Sequence, residues 1–378
     1  MRLIQIQINI IFYILFALTA SFFSCKQGEI GVFASIERTN QVKKSNLPKK
    51  ITPKGVLLAN NYYYTTFGAL YARSTSAQDW EKVKTPSESE SNVEALASFN
   101  KKLYASFSKR QSGSAKLYSV DIDTITSSTY NDPKWTLVTP KLPSTQWEEK
   151  EIFGLYVANE YLFIVTQLNV TQSKDPPPPI YSLWALASDG STVSKVTTED
   201  KTNLAKIINI VFINNMYWVL THGTIYYIPQ NKVSLQLKNA FGSNYQPNNG
   251  KNYIFITVID STLYVSTQDY IYQGTFTPNN PEPTWKSIST TKKIQSLFLY
   301  QNKYYAITYS DGIHLILSSN SDFTIDRKII SFPALSTTSW KTEFATVLGK
   351  TLFIATIKNG LWSVPLPITT TNKDWKNE

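Results

Sequence analysis

The chain has 378 residues, of which 42% are apolar, 13% aromatic and only 17% charged. That balance supplies a large core and excludes general disorder, and it suits either two or three ordinary domains or one large all-β domain. The formal charge of +10 comes mainly from scattered lysines. No dense basic stripe, zinc-finger spacing or aromatic–basic segment accompanies it, so no nucleic-acid partner is expected.

The chain opens with a basic Arg2, an apolar run from Ile10 to Phe23, and then Cys25, its sole cysteine. A lone cysteine can form no intrachain disulfide and no thiolate metal cluster. The apolar run is too short for a confident membrane span and has the anatomy of a secretory signal. Ser24 and Cys25 make the segment resemble a bacterial lipoprotein signal, of the spirochaete kind among others. Phe22 and Phe23 are bulkier than the usual residues before the lipidated cysteine. The resemblance implies a signal peptide over 1–24, acylation at Cys25 and a lipid membrane as partner. An unlipidated secretory signal and a retained anchor are the alternatives. Residues 25–51 then read as the lipidated N-terminus and a tether. Within them Ile30 to Ile36 (IGVFASI) has strand character and is a candidate closure strand for the domain that follows.

Residues 52–378 carry a unit that recurs seven times. Tyr63, Tyr104, Phe163, Trp218, Tyr264, Tyr305 and Phe353 mark one strand of each unit, at separations of 41 to 59 residues. An apolar strand precedes each. A third strand follows, carrying Tyr71, Tyr118, Trp184, Tyr226, Tyr272, His314 or Trp362. A polar outer strand comes last, opening with tryptophan in DWEKV, KWTLV and TWKSI. That period and order predict an all-β, seven-bladed β-propeller of four-stranded antiparallel blades, because a single blade cannot cover both its faces and a closed ring can. An irregular third unit and a weak outer strand in the fourth leave six or eight blades open, and two stacked sheets are a further alternative. The segment from Leu352 to Trp362 (LFIATIKNGLW) resembles the short propeller repeats of sensor domains in bacterial two-component regulators, with Ala355 where those repeats carry glycine.

Candidate chemistry is sparse. His222 lies in a turn, His314 at a packing position, and Asp260, Asp269 and Asp311 lie near strand ends, where such residues bond locally to the backbone. Sialidase-like propellers carry a Ser-x-Asp-x-Gly-x-Thr-Trp box. Ser310, Asp311 and Gly312 have neither its spacing nor its ending. Phosphate loops are absent, and no catalytic residue, metal ligand or cofactor is assigned. Two irregular stretches are the candidate binding loops. One contains Asp175 and the proline run from Pro176 to Pro179, which suits either a recognition element or a rigid spacer. The other runs from Ala240 to Tyr253 and includes Tyr245. The expected function is a noncatalytic, envelope-anchored propeller, periplasmic or surface-exposed, that recognises a protein or glycan or scaffolds an assembly. A carbohydrate-active or other hydrolytic enzyme is the alternative.

Overall fold

The computed structural model describes residues 46–48 and 51–378, apart from interruptions of which the longest are 139–149, 169–178, 240–251 and 333–339. Within them the strands group into seven antiparallel units of four, the expected propeller. The inner strands are Val56–Ala59, Asn92–Phe99, Lys150–Ala158, Ile207–Ile213, Phe255–Ile259, Ile294–Tyr300 and Thr342–Leu348, which open blades 1 to 7. Each leads into its middle strand through a two-residue turn. In five blades both turn residues have positive φ: Asn60–Asn61, Asn100–Lys101, Asn214–Asn215, Asp260–Ser261 and Gln301–Asn302. That twist matches the strands it joins, and Asn and Asp tolerate it best. The other end of the middle strand is held by a side chain. Thr221, Thr308 and Thr356 each place Oγ1 2.8–2.9 Å from a carbonyl of the turn that follows, which explains the threonine ending LFIAT.

The register settles the repeat. All seven marker residues of the third strand, from Tyr71 to Trp362, pair with the fourth residue of their middle strand. Six of the seven middle-strand markers are likewise the third residue of that strand and most face the next blade. Tyr63 is the second residue of Tyr62–Thr66. Side chains alternate along a strand, so this one-residue slip turns Tyr63 back towards blade 7, with its ring 4.9 Å from Phe353. Tyr64, fully buried between blades 1 and 2, is the true equivalent.

The weak outer strand of blade 4, Gln236–Asn239, is also explained. It pairs in parallel with the outer strand of blade 3, Val193–Thr198, so these two blades share one eight-stranded sheet. Blade 7 completes itself with Lys376–Asn377, and the seam to blade 1 is closed by Glu378. Its carboxylate accepts from Trp80 Nε1 at 3.0 Å and from Ser363 Oγ, and pairs with Arg73 at 3.4 Å and Lys376 at 3.0 Å. Arg73 in turn lies over the rings of Tyr63 and Trp80. Leu47 is buried in the same seam, and Asn46 exchanges two hydrogen bonds with the Trp80 backbone. The packed body thus reaches back beyond residue 52 to Asn46. The candidate closure strand from Ile30 to Ile36 lies outside the described residues.

Candidate functional site

An axial cavity of ≈ 1310 Å³ opens among the inner strands. Its mouth is shaped by one local device repeated five times. In blades 2, 3, 4, 6 and 7 the inner strand carries one extra residue relative to the middle strand: Glu94, Phe153, Ile208, Gln295 and Glu343. Such a bulge bends the strand and re-aims a side chain, and all five residues line the cavity. Each follows a buried β-branched residue, Val93, Ile152, Ile207, Ile294 or Thr342, which anchors the bulge in the blade interface. Blades 1 and 5 have no such shift.

Around the bulges stands a polar rim. Lys54 lies 3.7 Å from Glu94, which also accepts from Asn92. Lys206 and Lys293 immediately precede the anchors of blades 4 and 6, and their carbonyls accept from His222 and Tyr309 at 2.9 Å. Their ammonium groups rest over Phe153 at 5.1 Å and Tyr309 at 4.3 Å. Other polar groups lace the blades together. Asn209 donates to Ile256 O, Gln295 to the carbonyls of Thr342 and Glu343, and Ser296 to Ala345 O. Inner strands have no strand partner on their axial edge, and these bonds satisfy part of it.

A further charged cluster lies on blade 6. Asp311 accepts from Lys292 at 2.6 Å, Lys328 at 3.1 Å and His314 Nε2 at 3.0 Å. The Lys292 bond leads in holding its carboxyl well below the usual range. It is a tied anion, the reverse of a proton donor. His314 is buried, as its packing position predicts, and burial pushes its pKa down against the opposing pull of Asp311. His222 borders the cavity, and burial together with Lys206 lowers its pKa as well. Both rings therefore favour the folded state when neutral. That contribution is complete above about pH 6.5 and is lost as pH falls through the depressed folded values. Thermal melts from about pH 7.5 to 5 should show a falling Tm, with a shallower fall in H222Q/H314Q; an unchanged slope would place the acid sensitivity elsewhere.

Of the candidate binding-loop residues, Asp175, Pro176 and Tyr245 lie outside the described residues, as does Cys25. Pro179 is exposed immediately before the third strand of blade 3. Tyr253 is only 2% exposed and packs between blades 4 and 5, and it also lines the axial cavity. Asp260, at the hairpin that ends the inner strand of blade 5, also lines the cavity and accepts from Tyr304 OH at 2.9 Å. Among the described residues no group of three His, Cys, Asp or Glu is placed to hold a metal, and no helix is long and apolar enough to cross a membrane. Sequence reasoning missed the five bulge residues. Their trace is faint: two polar residues in succession follow Ile294 in IQSLFLY, whereas NVEALASF alternates through Glu94 without a break.

No protein-family model and no curated protein matches the chain. Solved propellers do. The extracellular domain of a putative hybrid two-component system from B. thetaiotaomicron superposes with a TM-score of 0.56 at 10% identity, over 85% of this chain and 39% of that one. YCF48 from Cyanidioschyzon merolae gives 0.52 at 10% identity, over 84% and 97%. A structure of YCF48 bound to D1 peptide gives 0.52 at 10%, over 83% and 91%. The chain spans well under half the length of the two-component protein's domain. At such identities the likeness is one of fold.

Proposed function

We propose that this chain is a noncatalytic binding protein of the bacterial envelope, anchored through an acylated Cys25, whose axial mouth receives a protein or glycan partner. The ring of five bulges carries the reading: it turns Glu94, Phe153, Ile208, Gln295 and Glu343 into one concave opening, the usual form of a recognition site. The extracellular two-component domain and the peptide-bound YCF48 support it by analogy of fold. Among the described residues the carboxyls of Asp132 and Asp311 are pushed down, whereas acid catalysis favours a carboxyl pushed up.

Photocrosslinking tests the mouth. A crosslinker at Gln268, exposed on the cavity rim, should capture a partner from envelope extracts, and one at Lys102, on the opposite hairpins, should not. Equal capture at both positions would reject the mouth as the site. Anchoring is tested by labelling with a palmitate analogue, expected in the wild type and lost in C25A; equal labelling would remove the lipidation. The hydrolase reading keeps one observation in its favour, the two glutamates Glu94 and Glu343 at one mouth on either side of blade 1. Glycan cleavage by the wild type that is abolished in E94Q or E343Q would establish it in place of the binding reading.

A further inference from the structure

The mouth is chemically uneven. Its glutamates sit on blades 2 and 7, with Lys54 of blade 1 between them and already paired to Glu94. The sector from blade 4 to blade 6 is different. It brings to the rim Lys206, His222, Asn252, Gln268 and Lys293; the acid it adds to the cavity lining, Asp260, lies at the opposite end of the blade 5 inner strand and is bonded by Tyr304. Among the described residues neither Lys206 nor Lys293 has a carboxylate within ion-pair distance; each half-buried ammonium is parked over an aromatic face instead. A ring face holds a cation only weakly, so it positions the group without neutralising it. The two lysines hold equivalent positions, each one residue before a buried anchor isoleucine, on blades separated by one blade. Asn252 and Gln268, both exposed, lie on the blade between them.

We infer that this sector is a binding subsite for a ligand bearing two carboxylates, one taken by Lys206 and the other by Lys293, with Asn252 and Gln268 bonding the polar atoms between them. This names the ligand chemistry of the mouth proposed above and rests on that reading. Two separate point charges suit two separated carboxylates better than a single phosphate, which is commonly gripped by an arginine fork or by converging backbone N–H groups. An acidic peptide and a uronate-containing glycan both present this chemistry.

Calorimetric titration of the full chain in detergent micelles tests it. The probes are α,ω-dicarboxylates of increasing length, the matching monocarboxylates, inorganic phosphate, a hepta-glutamate peptide and a galacturonate oligomer. One dicarboxylate length should bind at least about tenfold more tightly than its monocarboxylate and than phosphate, and K206Q and K293Q should each weaken it about tenfold. K102Q, on the opposite face, should leave it unchanged. The lysine variants should keep the wild-type melting temperature, which separates lost binding from lost fold. Of the two polymers, the one that binds with the same lysine dependence identifies the source of the acid. Binding that ignores both substitutions, equal binding of phosphate, or no binding of any acid overturns the subsite. In the last case, capture through Gln268 but not Lys102 would leave the mouth standing as a site for a different ligand.

Discussion

Glu378→Ala is expected to lower the free energy of unfolding by about 3–5 kcal/mol, the cost of leaving a buried partner charge uncompensated. Arg73 and Glu378 are 8% and 1% exposed at their side chains, and the carboxylate is the common acceptor for Arg73, Trp80, Ser363 and Lys376. Removing it strands the guanidinium, whose Nε already lacks a partner, in the interface that closes the ring. Urea unfolding of E378A, R73M and the R73M/E378M pair separates the terms. The double variant should recover much of the loss, because two apolar side chains replace the pair without leaving a lone charge. A loss below about 1 kcal/mol in E378A would show that the seam is held by apolar packing among Leu47, Tyr63, Trp80 and Phe353 alone.

Trp218→Ala should cost about 3–5 kcal/mol as well, for a different reason. The ring is fully buried between blades 4 and 5, against Tyr227, Phe276 and Trp285, and its loss leaves a cavity where the two blades meet. Among the described residues the indole N–H has no hydrogen-bond acceptor. W218F should therefore recover most of the stability, since it keeps the aromatic packing and sheds an unsatisfied donor. Chemical denaturation of both variants distinguishes packing from polarity; a large loss in W218F would mean that the N–H has a partner such as a bound water.

Reading these positions from the sequence worked where one residue type served one geometric need. The third-strand markers from Tyr71 to Trp362 align in all seven blades because each fills the same gap across the same middle-strand neighbour. Tyr62, Tyr63 and Tyr64 defeated the same logic: three tyrosines in a row leave strand phase undefined, and the turn length alone decides which one faces the next blade. Composition marks the residues before Tyr253 as a loop but cannot say that the chain has re-entered the blade there, with Tyr253 buried at the cavity wall.

The mouth was less legible than the ring. A bulge adds one residue without changing composition, so Glu94, Gln295 and Glu343 look like ordinary exposed positions of an alternating strand. Their convergence depends on five blades arriving around one axis, and no local pattern encodes that distance. The same holds for the clasp, where residues 305 positions apart meet. Burial periodicity and turn chemistry act over a few neighbours, so the sequence by itself determined the recurring four-strand unit and its strand order. Closure of the ring, the phase of blade 1 and the chemistry of the axial mouth rest on contacts between distant blades, and only the tertiary structure decided them.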